Sequence, residues 1–206
     1  YFKKGNNDWE PYNNGLPNVK IGEIEIYYAA NPGESRLRAA SFGRGLWETT
    51  IEYTATPMVY ISSTTTQKKT ASVAPGETNQ EIIKVVVNTN GNLSPLSATS
   101  FTFNTNGSTD PISDITNARL YFTGTTNVFS NATQYGPTIL SPDGTFTITG
   151  DQVLGDGKNN FWLTYDISSS AVLGNEVDAQ CTSLTVDTPQ SLVVSDPSGS
   201  RTISFD

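Results

Sequence analysis

Gly157-Lys-Asn-Asn-Phe-Trp-Leu-Thr-Tyr-Asp-Ile167 has large apolar side chains at alternate positions, namely Phe161, Leu163 and Tyr165. Successive side chains of a strand point to opposite faces of its sheet, so this spacing predicts a β-strand with one large apolar face. The other face is mixed, because it carries Trp162 and Thr164. A strand this aromatic is typical of the centre of a β-sandwich, with Trp162 covering the second face.

The same alternation recurs along the chain between clusters of Gly, Pro, Asn and Asp, and no segment shows a sustained period of 3.6 residues. We therefore expect an all-β protein with almost no helix. Asn90-Gly91, Asn106-Gly107 and Asp143-Gly144 are dipeptides that tolerate the positive φ of tight turns. The predicted strands span residues 22–28, 36–41, 45–53, 57–63, 80–88, 98–104, 117–123, 144–149, 160–166, 177–187, 190–195 and 200–205.

The composition favours a thin sandwich core with a large polar surface. Charged residues make up 16% of the 206 residues and hydrophobic residues 35%. The formal charge is −8 with 12 basic residues, which leaves no Lys/Arg patch able to neutralise several phosphates. We therefore expect no nucleic-acid partner. No apolar run approaches the length that spans a membrane, so we expect no membrane insertion.

A change in sequence character predicts two domains, residues 1–53 and 57–206. A strand-like run ends within Tyr53-Thr-Ala-Thr-Pro57 and a proline opens the next segment, so the predicted linker is short. Residues 1–9 contain neither the apolar core nor the cleavage site of a signal peptide. We expect the chain to begin inside a longer fold and any targeting signal to lie upstream.

Three motifs stand close together near the N-terminus: Gly15-Leu-Pro17, the alternating run Gly22-Glu-Ile-Glu-Ile-Tyr-Tyr28, and Gly43-Arg-Gly-Leu-Trp47. Together they resemble the last blade of a BNR-type, sialidase-like or sortilin-like β-propeller. Gly5-Asn-Asn-Asp-Trp9 keeps the tryptophan of an Asp box but not its usual residue order. One blade cannot bury its own faces, so we expect it to pack on upstream blades or on another chain.

The segments after Pro57 carry a second resemblance. Asn159-Asn-Phe-Trp-Leu-Thr-Tyr-Asp166, followed by Gly174-Asn-Glu-Val-Asp-Ala179, is its clearest part. Over most of residues 57–206 the chain resembles the BNR-repeat neuraminidase-associated domain, which occurs beside sialidase propellers and in large secreted proteins of the Bacteroidota. The resemblance implies an antiparallel sandwich of immunoglobulin or jelly-roll type, at an extracellular or outer cell-surface location.

Two ligand sites are conceivable from residue types. Trp162 with Tyr121 or Tyr135 could stack on the C–H face of a sugar, but the pattern favours core positions for these rings. Asp110, Asp114 and Asp178 flank predicted strand ends in Asn/Gly-rich turns, where carboxylates could bind Ca²⁺. Asx turns explain the same residues without a metal, and no EF-hand spacing is present.

Catalytic chemistry finds little support. The chain has no histidine, which excludes Ser-His-Asp and Cys-His catalysis and the usual zinc sites within it. The single cysteine, Cys181, cannot form an intrachain disulfide and is expected to be a buried apolar residue. Arg36, Arg38 and Arg44 lie on one blade, whereas the arginine cluster of a sialidase draws on several blades, so we expect surface residues there.

The sequence therefore predicts a non-catalytic segment of a large secreted or cell-surface protein, serving as a display, spacer or adhesion module. Its expected partners are other domains of the parent protein or neighbouring chains. One alternative is a carbohydrate-binding accessory module of a sialidase-like surface glycosidase. Another is a subunit of an extracellular assembly whose strand edges pair with a neighbour. We expect no cofactor, apart from the Ca²⁺ alternative.

Overall fold

The structure is a computed structural model that describes residues 8, 15, 18–27, 29, 34–51 and 56–205. It divides into two compact units, one within residues 1–55 and the other within residues 56–206. Residues 53–55 of the predicted linker, and the Asp-box remnant apart from Asp8, lie outside the described residues.

The described elements are strands apart from one four-residue helix, so the all-β prediction is confirmed. Within residues 1–55 they are β1 (Ile21–Tyr27), β2 (Arg36–Ser41) and β3 (Gly45–Thr50). Within residues 56–206 they are β4 (Val59–Thr66), β5 (Gln80–Asn90), β6 (Ser97–Asn104), α1 (Pro111–Asp114), β7 (Ile115–Gly124), β8 (Gln134–Leu140), β9 (Thr145–Val153), β10 (Gly157–Ile167), β11 (Glu176–Val177), β12 (Gln180–Val186), β13 (Thr188–Gln190) and β14 (Arg201–Thr202).

The N-terminal unit is an antiparallel meander in which β2 lies between β1 and β3. Ala39 pairs with Ile24 on one side and with Trp47 on the other. Directly paired residues share a face, so the register gives the sheet one apolar face and one charged face. The apolar face comprises Ile24, Ile26, Leu37, Ala39, Trp47 and Thr49.

The larger unit contains a five-stranded sheet in the order β4-β5-β10-β7-β8 and a four-stranded sheet in the order β13-β12-β6-β9. All ladders of the two sheets are antiparallel. As the alternation predicts, β10 is the central strand of the larger sheet. Strands β11 and β14 form a separate two-stranded pair.

The core of the sandwich lies between the two sheets. Phe161 of β10 reaches across to Phe101 of β6, with ring centroids 4.6 Å apart. Leu163 and Tyr165 lie on the same face of β10 and are fully buried, together with Ile148 of β9. Interdigitation of this kind removes the apolar faces of both sheets from water, which is the main source of stability for a sandwich.

Four strand predictions differ from the structure. The single strand predicted over residues 177–187 is divided into β11 and β12, which belong to different sheets. Strand β8 was not predicted, because Gly136-Pro137 interrupts its alternation. The strand predicted over residues 190–195 is wrong in its bounds, since β13 ends at Gln190. Val193 and Val194 instead hydrogen-bond to β4 through their backbone without forming a regular ladder. The strand predicted over 200–205 is reduced to two residues.

Arg201 ties the last strand to earlier parts of the sandwich. Its guanidinium donates to the carbonyl oxygens of Ala71, Glu81 and Ser72 at 2.8, 2.9 and 3.1 Å. The side chain is almost fully buried. Next to it, Ile203 forms a parallel bridge with Val73. The three carbonyl acceptors and the nearby negative charges of Glu77 and Glu81 compensate the buried charge, so Arg201 is a structural residue.

Candidate functional site

The outer face of the five-stranded sheet, away from the core, carries the densest group of polar and aromatic side chains. Trp162 lies at its centre, on the face of β10 opposite Phe161. Its indole Nε1 donates to Thr123 Oγ1 at 2.8 Å. The Phe129 ring packs edge-on against Trp162 at 6.0 Å and against Tyr121 at 5.9 Å. The segment after β7 thus covers Trp162, which is 1% exposed.

Two lysines lie over the same indole ring. The ammonium nitrogens of Lys68 and Lys84 are each 5.5 Å from the Trp162 ring centroid. Both donate to one atom, Asn127 Oδ1, at 2.9 and 2.8 Å respectively. Burial lowers the pKa of Lys84, and the charges of Lys68 and Lys158 lower it further. We call Lys68, Lys84, Asn127 and Trp162 the lysine pair site.

A second network lies beside this site and is built around Asp166. Its carboxylate accepts from Asn79 N–H at 2.8 Å, from Asn117 Nδ2 at 2.8 Å and from Arg119 Nη1 at 2.6 Å. Burial acts to raise the pKa of Asp166, but these hydrogen bonds and the Arg119 charge outweigh it and hold the pKa below its ordinary value. Tyr121 joins the network by donating to Asn79 Oδ1 at 2.6 Å.

The three rings considered for sugar stacking are buried. Trp162, Tyr121 and Tyr135 are 1%, 5% and 4% exposed. Tyr135 lies in the core, where its hydroxyl donates to Ala98 O at 3.2 Å and burial raises its pKa. Stacking on a sugar needs an open ring face. The predicted stacking platform is therefore wrong, because Tyr135 lies in the core and Trp162 and Tyr121 are covered on the outer face. An open depression of about 380 Å³ beside β7 is lined by Phe122, Val128 and small residues, and by none of these three rings.

Of the three carboxylates considered for Ca²⁺, that of Asp114 is held by hydrogen bonds within the fold. Asp114 is fully buried, and its oxygens accept from Val172 N–H at 2.9 Å and Asn175 Nδ2 at 2.8 Å. Asp110 lies directly before α1, and its side chain forms no capping hydrogen bond. Within the described ranges, no group of three or more His, Cys, Asp or Glu residues could hold a metal ion.

Asp178 occupies a third kind of environment. Its Oδ1 accepts from Ala179 N–H at 2.8 Å, while the Asp178 carbonyl accepts from Ser108 Oγ and the Tyr165 hydroxyl. Burial raises the pKa of Asp178 to about 6, and the negative charges of Asp196 and Glu176 act in the same direction. Because burial and these negative charges raise the pKa, the surroundings of the Asp178 carboxyl favour its neutral form.

Arg36 and Arg38 of the N-terminal unit lie on the charged face of its sheet. Arg38 Nε is 2.8 Å from Glu48 Oε2, and Arg36 Nε is 3.6 Å from Glu48 Oε1. Arg44 lies in the exposed turn between β2 and β3. These positions agree with surface strand residues.

The lysine pair site was not predicted from the sequence. Neither Lys68 nor Lys84 was among the candidate site residues predicted from the sequence. A signal was present, since Lys84 is the one charged residue inside the apolar run Ile82-Ile-Lys-Val-Val-Val87. A lysine at the centre of a buried strand needs a compensating partner, so this pattern predicts a polar contact on the outer face of β5.

The sequence matches no protein-family model and no curated protein. Among solved structures, the chain is similar to Hadza microbial sialidase Hz136, with a TM-score of 0.50 and 14% sequence identity. The match covers 70% of this chain and 31% of the sialidase chain, so the chain spans about a third of that protein's length. At this identity the likeness shows a shared all-β fold.

A second solved structure is the "Putative membrane anchored protein" from Corynebacterium diphtheriae. It has a TM-score of 0.26 and 13% identity, over 87% of this chain and 46% of that one. In the part of the chain that the structure describes, no helix is long and apolar enough to cross a membrane.

Proposed function

We propose that the chain is a non-catalytic module of a larger secreted or cell-surface protein. In this proposal the N-terminal unit attaches to neighbouring sheets of the same parent protein, and the sandwich spaces, displays or adheres. The observation that carries it is the open apolar face of the N-terminal sheet.

Within that unit, Ile24 is 63% exposed, Ile26 is 47% exposed and Trp47 is 38% exposed. These side chains lie together on the apolar face, whereas Arg38 and Glu48 pair on the opposite face. A contiguous apolar patch with a charged reverse side is the pattern of a surface that another protein element covers. A three-stranded sheet also gains its stability chiefly from packing of this kind.

The polar side chains of the sandwich support a structural role. Asp114, Asp166 and Arg201 are each engaged by two or more hydrogen bonds within the fold. Groups held in this way are compensated rather than poised for proton transfer or nucleophilic attack. The fold likeness to part of a sialidase supports a place within a longer multidomain protein, since accessory β-modules accompany such enzymes.

The attachment is tested by single-cysteine labelling. Cys181 is buried and its pKa is raised to about 12 by burial, so it gives little background. Ile24→Cys reports the apolar face, and Leu46→Cys, at 67% exposure on the charged face, is the matched control. We expect maleimide to label both positions in the 206-residue chain, but only Leu46→Cys in the protein as its source organism makes it.

Equal labelling of Ile24→Cys in the 206-residue chain and in the natural protein would refute the attachment. A natural protein no longer than this chain would refute it as well. If Ile24→Cys becomes protected in the 206-residue chain only at high concentration, the partner is a second copy, and the extracellular-assembly alternative replaces the attachment.

The surface location needs its own measurement. An antibody raised against the chain should detect the protein in culture medium or on intact cells. Detection only after cell lysis would contradict the proposal.

A glycan-binding accessory role in a glycosidase is the second candidate, and the likeness to a sialidase favours it. Trp162, Tyr121 and Tyr135 cannot carry this role because their rings are buried. It therefore needs a different binding surface. Glycan-array binding by the chain, with no loss in Trp162→Phe, would support this candidate.

A further inference from the structure

Two like charges meet at one neutral atom on the outer face of the sandwich. The Lys68 and Lys84 ammonium groups share Asn127 Oδ1 at 2.9 and 2.8 Å. An amide oxygen carries only a partial negative charge, so it satisfies hydrogen bonds but does not neutralise two cations. The arrangement leaves both charges in close repulsion.

Neighbouring groups do not remove the imbalance. In the described part of the sandwich, the salt bridges join Lys69 to Glu81 at 3.4 Å and Arg119 to Asp166 at 2.6 Å, and neither Lys68 nor Lys84 takes part in one. Lys158 adds a third positive charge nearby, and Glu81 is the acidic group whose charge reaches Lys84. The site is thus locally positive on a chain of formal charge −8.

The surroundings hold the two cations in place. The Trp162 ring lies beneath both ammonium groups at 5.5 Å, a distance at which its electron-rich face attracts a cation. Lys84 is 7% exposed and extends from the central part of β5, so its position is fixed by packing. Lys68 and Asn127 are exposed, which opens the site to solvent.

We propose that Lys68, Lys84 and Asn127 form a binding site for one oxyanion, namely a carboxylate, sulfate or phosphate group of a larger ligand. Its oxygens accept from both ammonium groups and neutralise the charge that Asn127 Oδ1 leaves uncompensated. Rotation of the Asn127 amide then presents Nδ2 as a third donor. The ligand enters at exposed Lys68, and Lys84 forms the base of the site.

The site is independent of the proposed attachment through the N-terminal sheet. It uses residues of the sandwich alone, so failure of either proposal leaves the other intact.

Thermal unfolding of the complete 206-residue chain tests the site, with chloride replaced by sulfate, phosphate, acetate or N-acetylneuraminate at constant ionic strength. Ligand at ten times its dissociation constant should raise the Tm by about 3–5 °C. Sulfate stabilises most proteins without specific binding, so the comparison between variants decides. Lys68→Met removes one exposed ammonium of the site, and Lys69→Met is the matched control at the lysine paired with Glu81.

We expect Lys69→Met to retain the anion-induced rise in Tm and Lys68→Met to lose more than half of it. Without added oxyanion, Lys68→Met should be at least as stable as the natural chain, because it relieves the repulsion. If only sulfate and phosphate raise the Tm, the ligand group is a tetrahedral oxyanion. If only acetate and N-acetylneuraminate raise it, the ligand group is a carboxylate. If both variants respond like the natural chain, or no anion raises the Tm, the site is refuted.

Discussion

Replacing Asp178 by asparagine should stabilise the protein in neutral and alkaline solution. Asp178 is 6% exposed, and the pKa of its carboxyl is about 6 in place of the ordinary 3.8. Burial is the main cause, followed by the charges of Asp196 and Glu176. Asparagine keeps the oxygen that accepts from Ala179 N–H but cannot ionise. The variant therefore avoids a buried charge that the natural protein must form at high pH.

The magnitude follows from linkage between ionisation and folding. The pKa of Asp178 is about 6 in the folded protein and 3.8 in the unfolded chain, so the folded protein holds this proton more tightly. The free energy of unfolding therefore falls as the pH rises from about 4 through 6. Above pH 7 the loss amounts to about 3 kcal/mol, at 1.36 kcal/mol for each pKa unit. At pH 5 the same relation gives about half as much.

Urea unfolding followed by far-UV circular dichroism at pH 8, 7, 6 and 5 measures the effect. Asp178→Asn should exceed the natural chain by up to about 3 kcal/mol at pH 8, and the difference should halve by pH 5. Asp114→Asn is the control, because its amide would oppose the donors Val172 N–H or Asn175 Nδ2, and we expect a loss of about 1–3 kcal/mol at pH 8. A pH-independent difference for Asp178→Asn, or a less stable variant at pH 8, would refute the reasoning.

Three further predictions concern the sandwich. Gly107→Ala should destabilise by about 2 kcal/mol or more in thermal unfolding, because φ is +90° and the new methyl would overlap the Asp178 carboxylate; Gly144→Ala, in open space, should lose only about 1 kcal/mol. Arg201→Met should lose about 3 kcal/mol or more, since the buried carbonyl of Glu81 and the partly buried hydrogen bonds to Ala71 and Ser72 lose their donor, and a loss below 1 kcal/mol would contradict this role. Cys181 should react with a thiol reagent only in denaturant; rapid labelling of the native chain would show that it is accessible.

Local patterns in the sequence predicted the parts of the fold that depend on local physics. The alternation over Phe161, Leu163 and Tyr165 placed β10 at the centre of a sheet, because the strand period directly determines which side chains share a face. Gly91, Gly107 and Gly144 indeed have positive φ, as their dipeptides indicated. Strand β8 was missed because Gly136-Pro137 breaks the pattern, although its neighbours still pair with β7.

The lysine pair site shows what the sequence could not supply. Asn127 is separated by 59 residues from Lys68 and by 43 from Lys84, so only the tertiary fold brings the three together. Alternation likewise places Trp162 on the outer face of β10 but does not predict whether that face is covered. In the structure Phe129, from the segment after β7, packs against Trp162 and covers it.

The hydrogen bonds of Arg201 can form only after almost the whole chain has been made. Arg201 is 129 and 130 positions away from Ser72 and Ala71 along the chain, so these contacts close a very long loop. During synthesis, the carbonyls of residues 71–81 lack their guanidinium partner until Arg201 has been made. The sandwich therefore completes late, and a chain stalled before residue 201 would keep the carbonyls of Ala71, Ser72 and Glu81 without this donor.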